Sequence, residues 1–248
     1  MAEELTIAVA QPRLTTGELA ANAGRHAEAV IAAGARIVVF PELSLTGYDL
    51  SADLVDPSDT RLSPIEVACA RTRTLALVGA PVAGMGDDGP SIAMLAIGPA
   101  GDDQRARPRV VYRKSHLGEA EAQRFAAGVG PAVIEVDGWR VGLGICKDTG
   151  MAEHVEGVAE LGVDLYVAGL VDHPEALPEQ ERRAQWIGRA TGAPVAFASH
   201  AGPTGEGYDP TAGGSAIWSA GGQRLASAAD APGAIVTATL GVTRSASK

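Results

Sequence analysis

The sequence predicts an α/β fold in which two β-sheets pack face to face between outer layers of helices. Apolar, strand-like runs alternate along the chain with segments whose apolar residues recur at helical spacing. A strand–helix–strand unit occurs twice, in residues 6–40 and 140–169, and each copy ends its helix on a glycine before an apolar strand. These strands lack the polar alternation of a half-exposed sheet, which indicates burial on both faces.

The first half of the chain opens with an apolar strand. The next segment, "TGELAANAGRHAEAVIAAGA", combines helical apolar spacing with a terminal glycine, which is a common helix stop. Because the "IVVF" that follows is short and apolar, we expect a buried strand there. In order, the elements predicted for this half are a strand at 5–11, a helix at 16–35, a strand at 36–40, a helix at 63–73, and strands at 75–81, 91–98 and 109–113.

The second half repeats this pattern and then becomes rich in strands. "WRVGLGIC" and "VDLYVAGL" flank a helical segment, as they would in a βαβ unit. The predicted elements are a strand at 139–146, a helix at 151–162, a strand at 163–170, a helix at 178–191, and strands at 194–199, 213–218, 223–227 and 234–240. No linker separates the halves, so we expect residues 1–248 to form a single domain.

The composition argues against several classes of protein. Hydrophobic residues make up 46% and charged residues 20% of the chain, which is ordinary for a globular protein with a sizeable core. The net charge of −10 argues against a nucleic-acid partner, because phosphate backbones need a basic surface. No apolar run reaches the roughly 18 residues of a membrane helix, so no membrane partner is expected. Two distant cysteines and an acidic first segment predict a reducing, cytoplasmic setting.

Three chemically reactive side chains follow apolar strands. Glu42 comes after "RIVVFP", Lys114 after "RVVYR", and Cys146 after "RVGLGI". Ligands of α/β proteins bind beyond the carboxyl ends of strands, so these positions are candidates for a functional site. Lysine is otherwise rare, since the chain has only Lys114, Lys147 and Lys248, and two of these stand at or beside the three positions.

A carboxylate, an ammonium and a thiol form a complete set for acyl transfer. Helix-start N–H groups and a nearby cation would lower the pKa of Cys146, and its thiolate would attack a carbonyl or nitrile carbon. A buried glutamate can exchange protons near neutrality, and a lysine can stabilise the oxyanion by about 3 kcal/mol. Each residue also has a structural interpretation, as a core cysteine, a surface carboxylate or a solvated lysine. Spacing does not show that the three meet, and Cys69 is interpreted as a core residue of a helix.

The stretches "VVFPELSLTGY", "YRKSHL" and "GLGICKDTG" together resemble the signature segments of the nitrilase superfamily of carbon–nitrogen hydrolases, in the family's order. "LTIAVAQ", "EAQRFAAG" and "GGSAIW" resemble further family segments, so the resemblance covers nearly the whole chain. It implies a four-layer α-β-β-α sandwich of the nitrilase type. It also implies that the protein pairs into a homodimer or a larger homo-oligomer.

The resemblance also implies roles for individual residues. Glu42 matches the general base of the family, Lys114 the lysine that stabilises the oxyanion, and Cys146 the nucleophile. Glu121 matches a second glutamate that orients the lysine and the substrate. The backbone N–H of Lys147 matches the other donor to the oxyanion.

The chain departs from the family pattern after the nucleophile. Met151 and Ala152 stand in place of a Phe-Pro pair, and the long helix ends in "GRATG" rather than Glu-Asn. Lys147 stands where relatives often have an aromatic residue, and its side chain is expected either to add positive potential or to point to solvent. Asp148 matches the family and is expected to hold the turn by accepting backbone N–H bonds. These departures weaken the assignment to a subgroup.

Other motifs add candidates for binding but none for metal. The five histidines and two cysteines show no metal-ligand spacing, so no metal or cofactor is expected. His116 is expected to be a hydrogen-bonding partner near the site. Tyr48, His173 and Tyr208 are candidate substrate contacts because they lie in loops at strand ends, the last in a glycine-rich loop at the expected mouth of the site. Each has an alternative interpretation as an ordinary loop residue.

The sequence therefore indicates a cofactor-free, cysteine-dependent hydrolase of a small linear amide that acts through a thioester. We favour an amide over a nitrile because the chain lacks the C-terminal extension typical of filament-forming nitrilases. An N-carbamoyl amine or amino acid remains an alternative substrate, as does a nitrile. Alternatives of another class are a catalytically silent scaffold and a thiol redox protein, which would need Cys69 as the resolving partner.

Overall fold

The computed structural model describes residues 4–86, 88–99 and 107–241. Within these ranges the chain forms twelve strands and four α-helices, whose order follows the alternation seen in the sequence. The strands are β1 (Leu5–Gln11), β2 (Ile37–Val39), β3 (Leu75–Val82), β4 (Ser91–Ile97), β5 (Arg109–Arg113), β6 (Ala132–Val136), β7 (Trp139–Ile145), β8 (Leu165–Leu170), β9 (Val195–Ser199), β10 (Ala216–Trp218), β11 (Arg224–Ser227) and β12 (Ala234–Leu240). The helices are α1 (Leu19–Ala33), α2 (Ser63–Thr72), α3 (Ala152–Glu160) and α4 (Leu177–Thr191).

The strands form two six-stranded sheets with related topology. The first has the order β12-β1-β2-β3-β4-β5 and the second the order β11-β10-β9-β8-β7-β6. Three central strands of each sheet run parallel, β1-β2-β3 in one and β7-β8-β9 in the other, and antiparallel strands flank them. Parallel pairs need crossover connections, which the helices provide. The doubled strand–helix–strand unit of the sequence therefore corresponds to one parallel core in each sheet.

The core has three layers, because each sheet is covered on both faces. In β1, Ile7 and Val9 pack into the layer between the sheets, whereas Ala8 and Ala10 pack under α1 and α2. In the second sheet, Val167 belongs to the central layer and neighbouring residues of β8 pack against α3 and α4. Successive side chains of a strand point to opposite faces, so both faces must be apolar. The predicted four-layer α-β-β-α sandwich is confirmed.

Most predicted elements lie within a few residues of the observed ones. Helix α1 begins at Leu19, three positions after the predicted start, and ends before Gly34, which has the left-handed φ of 57° that favours glycine at a helix end. The sequence analysis missed β6, an edge strand that pairs antiparallel with β7. Most of its side chains are only half-buried, and the exposed Glu135 interrupts its apolar residues. No helix in the described ranges is both long and apolar enough to cross a membrane.

Candidate active site

Glu42 lies in a tight turn that follows β2 and is inserted between the two sheets. The next residue, Leu43, has a left-handed φ of 49°. Gly79 of β3 and Gly169 of β8 pack against this turn, one from each sheet. A Cβ on Gly79 would come within 2.3 Å of the Leu43 nitrogen, and one on Gly169 within 2.8 Å of the Glu42 nitrogen. The two glycines therefore make room for the turn, which carries a carboxylate into the interior, where Glu42 is 1% exposed.

Two buried histidines hold the same turn. The Nε2 of His200 donates to the Glu42 carbonyl oxygen at 2.6 Å. In His26, Nδ1 donates to the Asn22 carbonyl at 2.7 Å and Nε2 accepts from the Ser44 hydroxyl at 2.9 Å. Burial lowers the pKa of both histidines to about 4, so both rings are neutral near pH 7. The sequence analysis gave neither a role, although His200 directly follows a predicted strand.

Lys114 lies just beyond β5 and bridges two buried glutamates. Its Nζ donates to Glu42 Oε1 at 2.7 Å and to Glu121 Oε1 at 2.6 Å. Glu121 is held in turn by the Tyr48 hydroxyl, which donates to Oε1 at 2.7 Å, and by the Gly118 N–H, which donates to Oε2 at 2.6 Å. The structure thus brings Glu42, Lys114 and Glu121 together, although they lie in separate segments of the sequence.

The charges of this group are strongly coupled. Burial raises the pKa of Glu42 to about 8, although the nearby ammonium opposes the shift. Burial opposes the charge on Lys114, but the carboxylates of Glu42 and Glu121 outweigh it and raise the pKa of the lysine. Burial likewise opposes the charge on Glu121, but Lys114 and the hydrogen bonds to its carboxylate lower its pKa. Glu42 Oε2 has no hydrogen-bond partner among the described residues, so one oxygen of a carboxyl that titrates near neutrality is free.

Cys146 follows β7 and is half-buried, with the left-handed φ of 42° that side chains rarely adopt. Its Sγ lies 3.5 Å from the Val171 carbonyl oxygen, to which it donates. Burial raises the pKa of Cys146 well above its ordinary value, Glu42 adds to the increase and Lys114 opposes it. The three groups therefore share one electrostatic environment. The expected lowering of the thiol pKa was wrong, because desolvation outweighs the cation and the short 3₁₀ helix Cys146–Gly150.

Asp148 ties the turn of the thiol to the segment that follows β5. Its Oδ2 accepts from the Ile145 N–H at 3.1 Å, and its Oδ1 accepts from the His116 N–H at 2.9 Å and from the His116 ring at 3.0 Å. The expectation that Asp148 accepts backbone N–H bonds is confirmed. The Lys147 side chain is exposed, as one of its two expected placements has it, and its Nζ donates to the Leu117 carbonyl of the same segment at 2.6 Å.

The side chains of His116, Asp148 and His154 offer ligand atoms within 4.8 Å of one another, a grouping that could hold a metal ion. Hydrogen bonds already occupy these atoms, however. The Tyr112 hydroxyl donates to Asp148 Oδ2 at 2.8 Å, and the Tyr166 hydroxyl lies 3.1 Å from His154 Nε2. Hydrogen bonding accounts for the cluster, and we assign no metal to it.

The three candidate substrate contacts form one aromatic cluster. The rings of Tyr48 and Tyr208 meet edge to face with centroids 5.2 Å apart, and His173 stacks on Tyr208 at 4.4 Å. Tyr48 also bonds to Glu121, which connects the cluster to the buried carboxylates. Burial raises the pKa of Tyr208 to about 12, and the charge of Cys146 contributes to the increase. The aromatic cluster therefore lies within electrostatic reach of the thiol.

Curated relatives of this chain are described only as hydrolases. Hydrolase Rv0480c of Mycobacterium tuberculosis (strain ATCC 25618 / H37Rv) is 35% identical over 156 residues, which cover 58% of this chain and 53% of that protein. The hydrolase in the pqqF 5' region of Pseudomonas protegens is 29% identical over 159 residues, which cover 60% of this chain and 53% of that protein. The matches therefore span about half the length of these relatives.

Solved structures with the same fold match nearly the whole chain. Nit3 of Saccharomyces cerevisiae, a member of branch 10 of the nitrilase superfamily, has a TM-score of 0.83 at 18% identity, covering 96% of this chain and 90% of its own. An amidase of the nitrilase superfamily from Nesterenkonia AN1 has a TM-score of 0.79 at 22% identity, with the same coverage of 96% and 90%. These likenesses show the fold. A sequence profile of the carbon-nitrogen hydrolases matches residues 6–247, and the chain belongs to that family.

Proposed function

We propose that this protein is a cysteine-dependent hydrolase that cleaves the C–N bond of a small linear amide through a thioester. One observation carries the proposal. A single buried ammonium, Lys114 Nζ, lies 2.7 Å from Glu42 Oε1 and 2.6 Å from Glu121 Oε1, within the electrostatic reach of the Cys146 thiol. Glu42, Lys114 and Cys146 are then the catalytic triad, and Glu121 fixes the position of the lysine.

In the first half-reaction, the neutral thiol needs a base, because its pKa is raised. Glu42 takes the proton from sulfur as Cys146 Sγ bonds to the amide carbon and the carbonyl π electrons move to oxygen. The oxyanion is stabilised by the Lys114 ammonium and the backbone N–H of Lys147. Glu42 then protonates the amide nitrogen, the C–N bond breaks, and ammonia leaves a thioester on Cys146.

The second half-reaction uses the same carboxylate. Glu42 takes a proton from a water molecule, whose oxygen attacks the thioester carbon, and the same two donors hold the second oxyanion. The C–S bond breaks, the carboxylic acid forms, and Glu42 returns the proton to sulfur. A pKa of about 8 suits a group that must both accept and donate a proton near neutrality.

The comparisons favour an amide over the other substrate classes. The Nesterenkonia amidase has been crystallised in complex with butyramide. It has also been crystallised with the acetamide moiety of fluoroacetamide covalently added at its active-site cysteine. Its identity to this chain is low, at 22% and 22% for those two structures, so these ligands support a class of substrate rather than a particular compound.

The structure argues against the two alternatives to a hydrolase, a catalytically silent scaffold and a thiol redox protein. A catalytically silent scaffold would have no need of a buried carboxylate with a pKa of about 8 beside a charged lysine. A dithiol redox role would need a resolving cysteine, but Cys69 lies on the buried face of α2, where it is 0% exposed, and burial raises its pKa to about 12.

The proposal is tested with a panel of small amides, N-carbamoyl amines and nitriles, read by ammonia release and by mass spectrometry of the quenched protein. We expect amides to react fastest and to leave an acyl adduct on Cys146, which Cys146→Ala abolishes. Cys69→Ala is the matched control and should retain both signals. Faster turnover of a carbamoyl amine or a nitrile would reassign the substrate, and the absence of turnover and adduct with every class would reject the enzyme.

Homodimerisation and a cytoplasmic setting remain predictions from the sequence. Homodimerisation can be tested directly by sedimentation equilibrium, which compares the mass of the particle in solution with the mass of one 248-residue chain. A single-chain mass across the accessible concentration range would contradict it.

A further inference from the structure

The inference concerns Asp172, which neither the sequence analysis nor the proposed chemistry uses. Asp172 follows Val171, whose carbonyl oxygen contacts the Cys146 thiol at 3.5 Å. Consecutive Cα atoms lie about 3.8 Å apart, so this carboxylate is one residue away from the point that the nucleophile touches. Its main chain is held in place by the Ala212 N–H, which donates to the Asp172 carbonyl at 2.8 Å.

On its other side, Asp172 adjoins the aromatic cluster. His173 stacks on Tyr208 at 4.4 Å, Tyr208 meets Tyr48 at 5.2 Å, and the Tyr48 hydroxyl bonds to Glu121 at 2.7 Å. The contacts thus run from the nucleophile through Val171, Asp172 and the rings back to the buried lysine. We call this series of contacts the perimeter of the site. Along it, Asp172 lies between the sulfur and the aromatic side chains.

Asp172 is the acid of this perimeter that forms no close ion pair, although the charges of Arg183 and Lys114 act on it through space. Glu42 and Glu121 share Lys114. Asp172 accepts a hydrogen bond from the neutral amide of Gln180, Nε2 to Oδ2 at 2.8 Å, and makes no ion pair in the part of the chain that the structure describes. Burial raises the pKa of Asp172, and the charge of Asp172 acts in turn on Cys146 and Tyr208. The site therefore holds two carboxyl groups paired with Lys114 and a third, Asp172, that forms no close ion pair with a described side chain.

We propose that Asp172 determines substrate specificity and that the substrate is a small amide bearing a positively charged amine a few bonds from the reacting carbonyl. This inference rests on the proposed function and adds the charge of the substrate to it. An ammonium beside Asp172 would give this carboxylate the close ion pair that no described side chain makes with it, at a half-buried position where solvent screens the pair less than at the surface. The faces of the neighbouring tyrosine rings also attract a cation. A substrate with a carboxylate at this position would be repelled.

The test compares amides that are matched in size and differ in charge. The probes are 4-aminobutanamide, its uncharged counterpart pentanamide, and succinamate, which carries a carboxylate. We expect kcat/KM at neutral pH to be at least about tenfold higher for the amine than for pentanamide, and lowest for succinamate. Asp172→Asn keeps the size of the side chain and its bond to Gln180, and should reduce the ratio of amine to pentanamide at least about tenfold.

The control and a second readout separate this inference from the amidase proposal. Glu175→Gln removes an exposed carboxylate three positions along the chain and should leave the ratio unchanged. Binding of the same probes to Cys146→Ala, measured by calorimetry, should show the same order without chemistry. If pentanamide is hydrolysed and neither assay prefers the amine, or if Asp172→Asn lowers both substrates equally, the specificity proposal is overturned and the amidase stands. If the binding preference is present and no amide is hydrolysed, the amidase fails and the role of Asp172 stands.

Discussion

The backbone N–H of His116 donates a hydrogen bond to Asp148 Oδ1 at 2.9 Å, and this bond joins the two sheets at the site. His116 follows a strand of the first sheet, two residues after Lys114. Asp148 follows a strand of the second sheet, two residues after Cys146. The same carboxylate accepts from the Ile145 N–H at 3.1 Å, so it sets the position of the Cys146 thiol relative to Lys114.

Replacing Asp148 by Asn should therefore reduce catalysis more than stability. In the variant, one of the two oxygens that accept hydrogen bonds becomes an NH₂ group. This group faces N–H or O–H donors and cannot accept their hydrogen bonds. We expect kcat to decrease roughly 10–100-fold, because small displacements of reacting groups carry costs of that order. We expect Tm to decrease by roughly 2–12 °C, as a loss of about 1–3 kcal/mol predicts.

Asp164→Asn is a matched control for that change. Its carboxylate also accepts a backbone N–H, from Arg140 at 2.9 Å, but lies away from the site. It should reduce Tm without reducing kcat. Equal kcat losses in the two variants, measured on the same amide, would contradict a positioning role for Asp148.

The pH dependence of the reaction should follow Glu42. Because the pKa of Glu42 is about 8, the carboxylate that accepts the thiol proton is scarce at pH 6 and abundant above pH 8. We expect kcat/KM for an uncharged amide to rise with pH, with a midpoint near 8 that belongs to the coupled Glu42–Lys114–Cys146 group. A rate that is already constant below pH 6 would show that another group limits proton transfer.

Glu42→Gln should stabilise the fold while abolishing turnover. The pKa of Glu42 rises from 4.5 to about 8 on folding, so the contribution of Glu42 to wild-type stability is greatest below pH 4.5 and is lost as pH rises through 8. The glutamine does not titrate, and Lys114 keeps Glu121 as a partner. We expect the variant to gain about 1–3 kcal/mol over the wild type by pH 8, measured by urea unfolding at several pH values. A difference that does not change between pH 5 and 8 would be inconsistent with the raised pKa.

Gly79→Ala should displace the turn that carries Glu42. The new Cβ would come within 2.3 Å of the Leu43 nitrogen and 2.5 Å of the Pro41 oxygen, and these backbone atoms cannot move independently. We expect a loss of about 2–4 kcal/mol in unfolding free energy and a decrease of more than about tenfold in kcat. Gly24→Ala in α1 is the control, since its Cβ meets nothing within 4 Å, and it should gain about 0.5–1 kcal/mol. Full activity in Gly79→Ala would refute the steric role assigned to that glycine.

Particular elements show how much of the fold and of the site could be predicted from the sequence. Strands such as β1 and β8 were predicted because burial on both faces leaves a continuous apolar run. The edge strand β6, which was missed, differs from these strands in its half-buried side chains and its exposed Glu135. Glu42, Lys114 and Cys146 were found because each follows a strand and stands within a stretch that resembles the family. His200 and Asp172 belong to no quoted stretch, and their importance comes from contacts that local patterns do not encode.

The sequence by itself determined the strand–helix alternation, the four-layer fold and the reactive side chains at the strand ends, because periodicity and residue type are local properties. Tertiary structure decided how those side chains behave. Lys114 reaches Glu42 across 72 positions of the chain, and the raised pKa values of Glu42 and Cys146 arise from desolvation by residues of both sheets. Burial and through-space charge depend on neighbours that are remote in sequence, which is why the pKa of Cys146 is raised where the sequence predicted that it would be lowered.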